Sequence, residues 1–462
     1  MTLLSRRIMQ AFLSAAVSLS GFAAPAAGDD AEAEIKALRE QIQTLDRRLQ
    51  ELEQKQKRKE EEAAATAAKT LPKIDLTENG FRFASGDGAS WLRLGSLIQL
   101  DSRLFFHDGG MTNNAFVLRR GRLIAEGALG PIYSFQMVTE FGGSAVSVLD
   151  ANLTIAPSNL LQFKIGRFKA PVGLELLQSD SATFFAERSL VTNLVPNRDL
   201  GVQAGGSLRN GAFTYTIGLF NGVADAASTT NADYDNDKDV VGRVFVQPFK
   251  NGPESPWRGL GLGLAASSGR QKGTSAVTAG YKTDGQQTFF KYGGTVLADG
   301  QVWRVSPQAF FSDGPFSVLG EYAVSGISVR PAPGAAATPL EHHAWQMAAG
   351  WVLTGEDASF TGLQPSQPFN WAKRNWGAWQ VVVRYADLKL DDRTFPLFAA
   401  PATSAGGASS VGLGVNWYLS RIMRTSLDLF QTRFRNAGPG PVTNPVIRQE
   451  ETALISRFQL SF

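Results

Sequence analysis

From about residue 90 to the end of the chain, apolar side chains recur at every second position, interrupted by polar turns. Over 90–106, Leu92, Leu94, Ile98, Leu100, Leu104 and Phe106 share one parity, and Arg93, Gln99, Asp101 and Arg103 share the other. Period-2 alternation predicts a strand with a different solvent on each side. Over 116–129 one face carries Arg120, Arg122, Ile124 and Glu126, while the other is apolar or small from Leu123 onward. Arginines are costly to bury unpaired, so the charged face is expected to meet water. The pattern returns at 133–141, 149–155, 161–165, 202–208, 213–219, 240–246, 260–266, 302–311, 316–329, 343–353, 376–388, 411–419, 425–434 and 450–462, which makes sixteen strands. Residues 286–297 could supply a seventeenth. They are assigned to a loop, because an even count returns both ends of a barrel to one side.

The connections follow the same logic. Short links at 130–131, 156–159, 209–211, 312–315 and 420–421 alternate with long polar ones at 107–114, 168–198, 221–239, 267–300, 330–340, 390–408 and 436–449. Outer-membrane barrels alternate short turns and long loops in this way. Two links on the short side, 248–257 and 355–375, are exceptions. The last strand places Phe458, Leu460 and Phe462 on one face and ends on an aromatic residue. The expected fold is all-β, a 16-stranded antiparallel transmembrane β-barrel over 73–462, preceded by a short α-helical coiled-coil segment.

That segment has a different periodicity. Ile35, Leu38, Ile42, Leu45, Leu49 and Leu52 are spaced by threes and fours and flanked by charges, the a/d seam of a coiled coil. Helices this short are marginal alone, so a partner chain is expected. The alternative is one amphipathic helix lying on the barrel or the cell wall. Residues 28–72 are assigned to the seam and a linker that begins at Ala63. Residues 1–27 read as a cleaved signal peptide: Arg6 and Arg7, an apolar stretch, then Ala24-Pro25-Ala26.

Composition narrows the choices. Charged residues are 19% of 462 and glycines number 47, which suits a barrel whose hydrophobicity is spread over alternate positions. Past the N-terminus no run of about 20 apolar residues predicts a helical span. Cysteine is absent, which excludes disulfides, thiolate metal sites and cysteine nucleophiles. The net charge is +3, and about +1 once Arg6 and Arg7 are removed, which argues against a nucleic-acid partner. Any anion preference must then come from local placement of charge.

A channel needs few special residues. Arginine suits phosphate and carboxylates because its fork donates in pairs, and binding must be weak enough for the ion to leave. Arg93, Arg103, Arg120, Arg122, Arg243, Arg304, Arg384 and Arg457 fall on the polar faces. The alternative is that they pair with Asp101, Glu126, Glu140 and Glu321 and brace the wall. Asp233, Asp235, Asp237 and Asp239 have calcium-like spacing, but Lys238 stands where such a loop needs glycine; a solvated acidic loop is preferred. His342 and His343 point to opposite faces, and the alternate glycines 259, 261 and 263 precede no helix. With no nucleophile–base spacing in view, no enzymatic activity, cofactor or metal is expected.

Several stretches resemble a known family. They are Leu118-Arg119-Arg120-Gly121-Arg122-Leu123, Ile165-Gly166-Arg167-Phe168-Lys169-Ala170-Pro171-Val172-Gly173-Leu174-Glu175, Asn197-Arg198-Asp199-Leu200-Gly201-Val202-Gln203, Leu353-Thr354-Gly355-Glu356, Gly377-Ala378-Trp379, Arg384-Tyr385 and Asn416-Trp417-Tyr418-Leu419. In this order they resemble the phosphate-selective porin O and P family. The resemblance implies a homotrimeric outer-membrane porin of Gram-negative cells, in contact with lipid and lipopolysaccharide, whose segment 168–198 folds inward as a constriction loop. It implies that Arg119 and Arg120 on the second strand meet Asp150 on the fourth, together with loop lysines. Placing both arginines in the lumen conflicts with alternation and requires a bulge. The loop departs from the family pattern: between Gly173 and Asn197 its only cation is Arg188, with Lys169 and Arg198 at its ends, against Glu175, Asp180 and Glu187. The missing lysines weaken the expectation of tight phosphate selectivity and leave the fold untouched.

The expected function is a water-filled channel for passive diffusion of small inorganic or organic anions, phosphate and polyphosphate among them. The expected pore-lining set is Arg93, Arg103, Arg119, Arg120, Arg122, Asp150, Lys169, Arg188, Arg198 and Arg384. The alternative is an envelope tether, in which the coiled coil contacts the cell wall and the pore is non-selective.

Overall fold

A computed structural model describes residues 28–78, 80–106, 112–228, 233, 235–274, 280–437 and 449–462. The leader expected over 1–27 lies outside the described residues. The chain divides into two compact units, with the boundary between Leu71 and Pro72.

The first unit is one helix, α1 (Gly28–Thr70). The linker expected from Ala63 is helical up to Thr70. Its sequence AAATAAK is rich in the strongest helix former and meets no breaker before Pro72. Along α1 the seam residues from Ile35 to Leu52 are all exposed. Among the described residues, no helix is long and apolar enough to cross a membrane.

The second unit begins with a hairpin, β1 (Lys73–Thr77) and β2 (Gly80–Ala84), that the sequence reading missed. Eight strands follow: β3 (Trp91–Phe106), β4 (Ala115–Leu129), β5 (Tyr133–Glu140), β6 (Ser147–Ser158), β7 (Leu161–Lys169), β8 (Arg198–Leu208), β9 (Phe213–Phe220) and β10 (Asp239–Val246). After β11 (Gly261–Thr274) comes a small hairpin, β12 (Tyr281–Lys282) and β13 (Thr288–Phe290). The chain then runs through β14 (Leu297–Asp313), β15 (Phe316–Arg330), β16 (Thr338–Val352), β17 (Ala378–Lys389), β18 (Gly407–Tyr418), β19 (Met423–Arg435) and β20 (Glu450–Ser461). The β12–β13 pair forms a separate sheet, so the region expected in a loop stays out of the barrel, apart from Leu297.

The barrel strands are antiparallel to their sequence neighbours, and β20 pairs back onto β3, from Thr452 opposite Phe106 to Ser461 opposite Leu97. Sixteen strands therefore close without a free edge in the wall. Below that pairing, β2 takes over Trp91–Leu94 of β3, the stretch β20 is too short to reach. Alternation is kept along β3. On β3, Ile98, Leu100, Leu104 and Phe106 are exposed outward, while Gln99, Asp101 and Arg103 are buried inward. An apolar row exposed on the outer wall suits lipid, not water.

The interior is largely filled. Residues 170–197, 281–296 and 391–405 turn inward, and Val172, Leu190, Phe290, Tyr292 and Phe398 share one hydrophobic cluster with Val302, Ala344 and Leu388 of the wall. Backbone bonds link these segments, such as Gly293 N to Phe398 O at 2.9 Å and Ala405 N to Phe289 O at 2.8 Å. The long turn-side link after β16 also enters. Its Phe360 ring packs 5.2 Å from Phe310, and its Phe360 carbonyl accepts a bond from Gln178 at 2.7 Å. Among the described residues, the lumen is thus packed with protein beside β14–β19 and open beside β4–β10.

Candidate functional site

The segment between β7 and β8 crosses the barrel and seats on the opposite wall. Its short helix, α2 (Leu174–Leu177), has its first amides satisfied by Glu321 of β15, at 2.7 Å from Leu174 N and 3.0 Å from Glu175 N. Farther on, Ala186 N donates to Asp428 at 2.7 Å, and Asn416 and Arg424 donate to the carbonyls of Phe184 and Thr183. Buried polar groups need such partners, and here the wall supplies them. Gly166, just before the crossing, has φ +124°, and a Cβ there would lie 2.2 Å from Ala151 O. Only glycine sits there without strain.

On the facing wall, β4 carries a bulge. Gln99 of β3 lies opposite Arg120 and Leu100 lies opposite Leu118, which leaves Arg119 as the extra residue. A bulge puts two consecutive residues against one, so Arg119 and Arg120 both turn inward. Arg119 grips Glu187 through two bonds of 2.6 and 3.0 Å. Arg120 lies 3.1 Å from Asp180 and donates to Gln99.

The other expected residues are also engaged. Arg122 bonds Glu140 at 2.7 Å and contacts Asp180. Arg188 also contacts Asp180 and donates to the carbonyls of Glu175 and Gln178. Arg198 pairs with Asp150 at 3.0 Å, so Asp150 meets Arg198 and not the arginine pair of β4. Lys169 donates to the carbonyls of Leu176 and Gln178, at 2.6 and 3.1 Å. Arg93 pairs with Glu126 nearer the turn end of the barrel.

Two expected pore residues lie apart from the rest. Arg103 bonds Asp101 and Glu187. Arg384 bonds Glu175 and Asp284 and lies over the Phe185 ring at 4.5 Å. Both face inward, as their parity predicts, but the crossing loop covers them, and neither lines the chambers described below. Arg304 and Arg457 are likewise sealed, against Asp225 and Asp239 and against Asp101 and Glu187. For these four, bracing is the role the geometry supports. The acidic loop resolves similarly: Asp233 pairs with Lys238 and Asp237 with Lys272.

Among the described residues, two polar chambers lie in the lumen. One of about 680 Å³ opens toward the short turns and is lined by Arg93, Arg122, Lys164, Lys169, Arg198, Arg243 and Arg421, with Glu78, Asp150 and Asp180 as its acids. The other, about 480 Å³, opens toward the long loops and is lined by Arg119, Arg120, Arg122, Arg188, Arg198 and Lys282, with Glu140, Asp180 and Glu187. Arg122, Asp180 and Arg198 border both, so the chambers meet where these three stand. Cations outnumber acids on each side. Lys164, Arg243, Arg421 and Lys282 lie outside the expected set; the parity of their strands puts the first two on polar faces, and the other two stand outside the expected strands.

Two loop acids, Asp180 and Glu187, are held below the usual carboxylate range. Burial pushes the Asp180 carboxyl up, but Arg120, Arg188, Arg122 and Lys169 outweigh it and hold it well below the usual carboxylate range. For Glu187, burial is outweighed by Arg119, Arg457 and Arg120, with the same result.

Residues 93–462 match the family described as phosphate-selective porin O and P. A protein of uncharacterised function from Caulobacter vibrioides is 26% identical over 427 residues, 83% of either chain. The outer membrane channel DcaP of Acinetobacter baumannii has a similar fold, with a TM-score of 0.52 at 11% identity over 81% of this chain and 98% of that one. An anion-selective porin from Comamonas acidovorans gives a TM-score of 0.49 at 13% identity, over 81% and 100%. The family match begins in the first barrel strand and runs to the carboxyl terminus, and the chain therefore belongs to the phosphate-selective porin O and P family of outer-membrane porins.

Proposed function

We propose that this porin passes small anions by passive diffusion, with phosphate and polyphosphate among its solutes. The observation that carries the reading is the excess of arginine and lysine around both chambers where they meet at Arg122, Asp180 and Arg198. Fixed positive groups on low-dielectric walls concentrate anions, and guanidinium forks replace part of an oxyanion's hydration. The pore-lining set under this reading is Arg93, Arg119, Arg120, Arg122, Asp150, Lys169, Arg188 and Arg198, and residues 168–198 act as the constriction loop. Export follows cleavage of a signal peptide at about residue 27. Planar-bilayer recording across a potassium chloride gradient is the test. A reversal potential of the anion-selective sign is expected, and the opposite sign overturns the reading.

The porin is a homotrimer in this reading, and the exposed heptad side chains of α1 supply one point of association. The same exposed seam favours one second reading, a tether to the cell wall through residues 28–72. Deleting residues 32–62 separates the two. Loss of the trimer on native gels supports the first, whereas envelope defects with an intact trimer and normal permeability support the tether.

A further inference from the structure

Asp180 stands where a permeating anion would bind. Its carboxylate takes Arg120 at 3.1 Å, and Arg122 and Arg188 close on it directly. The three guanidiniums come from two directions, Arg120 and Arg122 from the wall and Arg188 from the loop itself. Such a cluster around one point is a donor set for a tetrahedral oxyanion, since each fork can donate to a different oxygen. The side chain is nearly buried, yet it borders both chambers. An anion entering from either end meets this point, and finds it occupied by a group that is covalently part of the loop.

We propose that Asp180 is a tethered counter-anion: it fills an oxyanion site made by Arg120, Arg122 and Arg188, and so sets how weakly the channel holds phosphate. This rests on the anion-channel reading above. A tethered carboxylate competes with every passing anion at high effective concentration, which keeps the site from trapping its solute. Glu187 differs. It is bound by Arg119, Arg103 and Arg457, and the last of these is fully buried under the loop, so its site is a structural joint. Asp180 alone among the loop acids borders both chambers.

The test uses the full-length porin in planar bilayers, as wild type, Asp180→Asn and Asp180→Ser. Reversal potential in a potassium chloride gradient is read first, then the concentration of inorganic phosphate that halves the chloride current. Removing one competing charge at contact distance should lower the half-blocking concentration in both variants by about tenfold or more. Adding Arg188→Ala to Asp180→Asn should reverse most of that gain. If the wild type is anion-selective and neither variant that inserts is blocked by less phosphate, the counter-anion proposal is wrong and the channel reading stands. A cation-selective wild type overturns the channel reading itself. If both variants fail to insert while Asp180→Glu inserts with wild-type block, Asp180 is a structural joint like Glu187, and the proposal is overturned.

Discussion

Arg119 and Arg120 are neighbours in the chain, yet both reach inward, one to Glu187 and the other to Asp180. The bulge opposite Gln99 and Leu100 makes this possible. It also divides the strand. Before it, Phe116 and Leu118 are the exposed outer residues; after it, Leu123 and Leu129 are. The apolar parity switches from even to odd as the chain passes the arginines.

Deleting Arg119 tests whether the bulge is needed for folding. With it gone, Leu118 and Arg120 become consecutive with outward and inward orientations already in phase. The barrel is expected to assemble, as judged by heat-modifiable mobility on denaturing gels, while Glu187 keeps Arg103 and Arg457. Failure to assemble would show that the extra residue is structural.

Replacing both residues, as Arg119→Ala with Arg120→Ala, leaves the wall strands in register and removes two cations from the long-loop chamber. Asp180 and Glu187 each lose one partner. The reversal potential should move toward the cation-selective sign. An unchanged value takes these arginines out of the selectivity mechanism.

Arg457 offers a stability test. It is fully buried and bonds Asp101 at 2.6 Å and Glu187 at 2.7 Å. Removing one partner of a buried ion pair leaves uncompensated charge and costs about 3–5 kcal/mol. Arg457→Ala should lower the urea midpoint of the barrel in detergent and raise protease cleavage within 170–197. A variant as stable as wild type contradicts the bracing role.

Glu187 gives a pH test with a definite sign. Its folded-state pKa lies well below the ordinary 4.5, mainly through Arg119 and Arg457 acting against burial. A depressed pKa contributes stability that is complete above the unfolded value and is lost as pH falls through the folded one. The stability difference between wild type and Glu187→Gln should be constant from neutral pH down to about pH 5 and shrink only in stronger acid. A difference that fades between pH 7 and 5 contradicts the assignment.

The bulge was legible in part. Keeping both arginines in the lumen demanded one, and the parity switch from Leu118 to Leu123 marks its position. The hairpin β1–β2 was not seen, because strands of five residues carry too few alternations to stand out. The helical continuation over 63–70 reads as a linker in the sequence because alanine has no apolar periodicity, although its propensity favours helix. Arg103 and Arg384 were correctly placed inward, and nothing in their own strands reports that a loop lies over them.

The sequence by itself determined the sixteen wall strands and, away from the β4 bulge, their faces, and so the closed barrel, because alternation is a local property that each strand carries alone. It also determined that the inner face would be rich in arginine. Which arginines meet water was decided only by the tertiary structure. Arg457 and Asp101 are 356 positions apart, and Asp180 lies on a segment whose seat is set by Glu321, Asp428 and Asn416 on three separate strands. Burial and charge pairing depend on distances across the lumen, and those exist only once the wall has closed and the loop has crossed it.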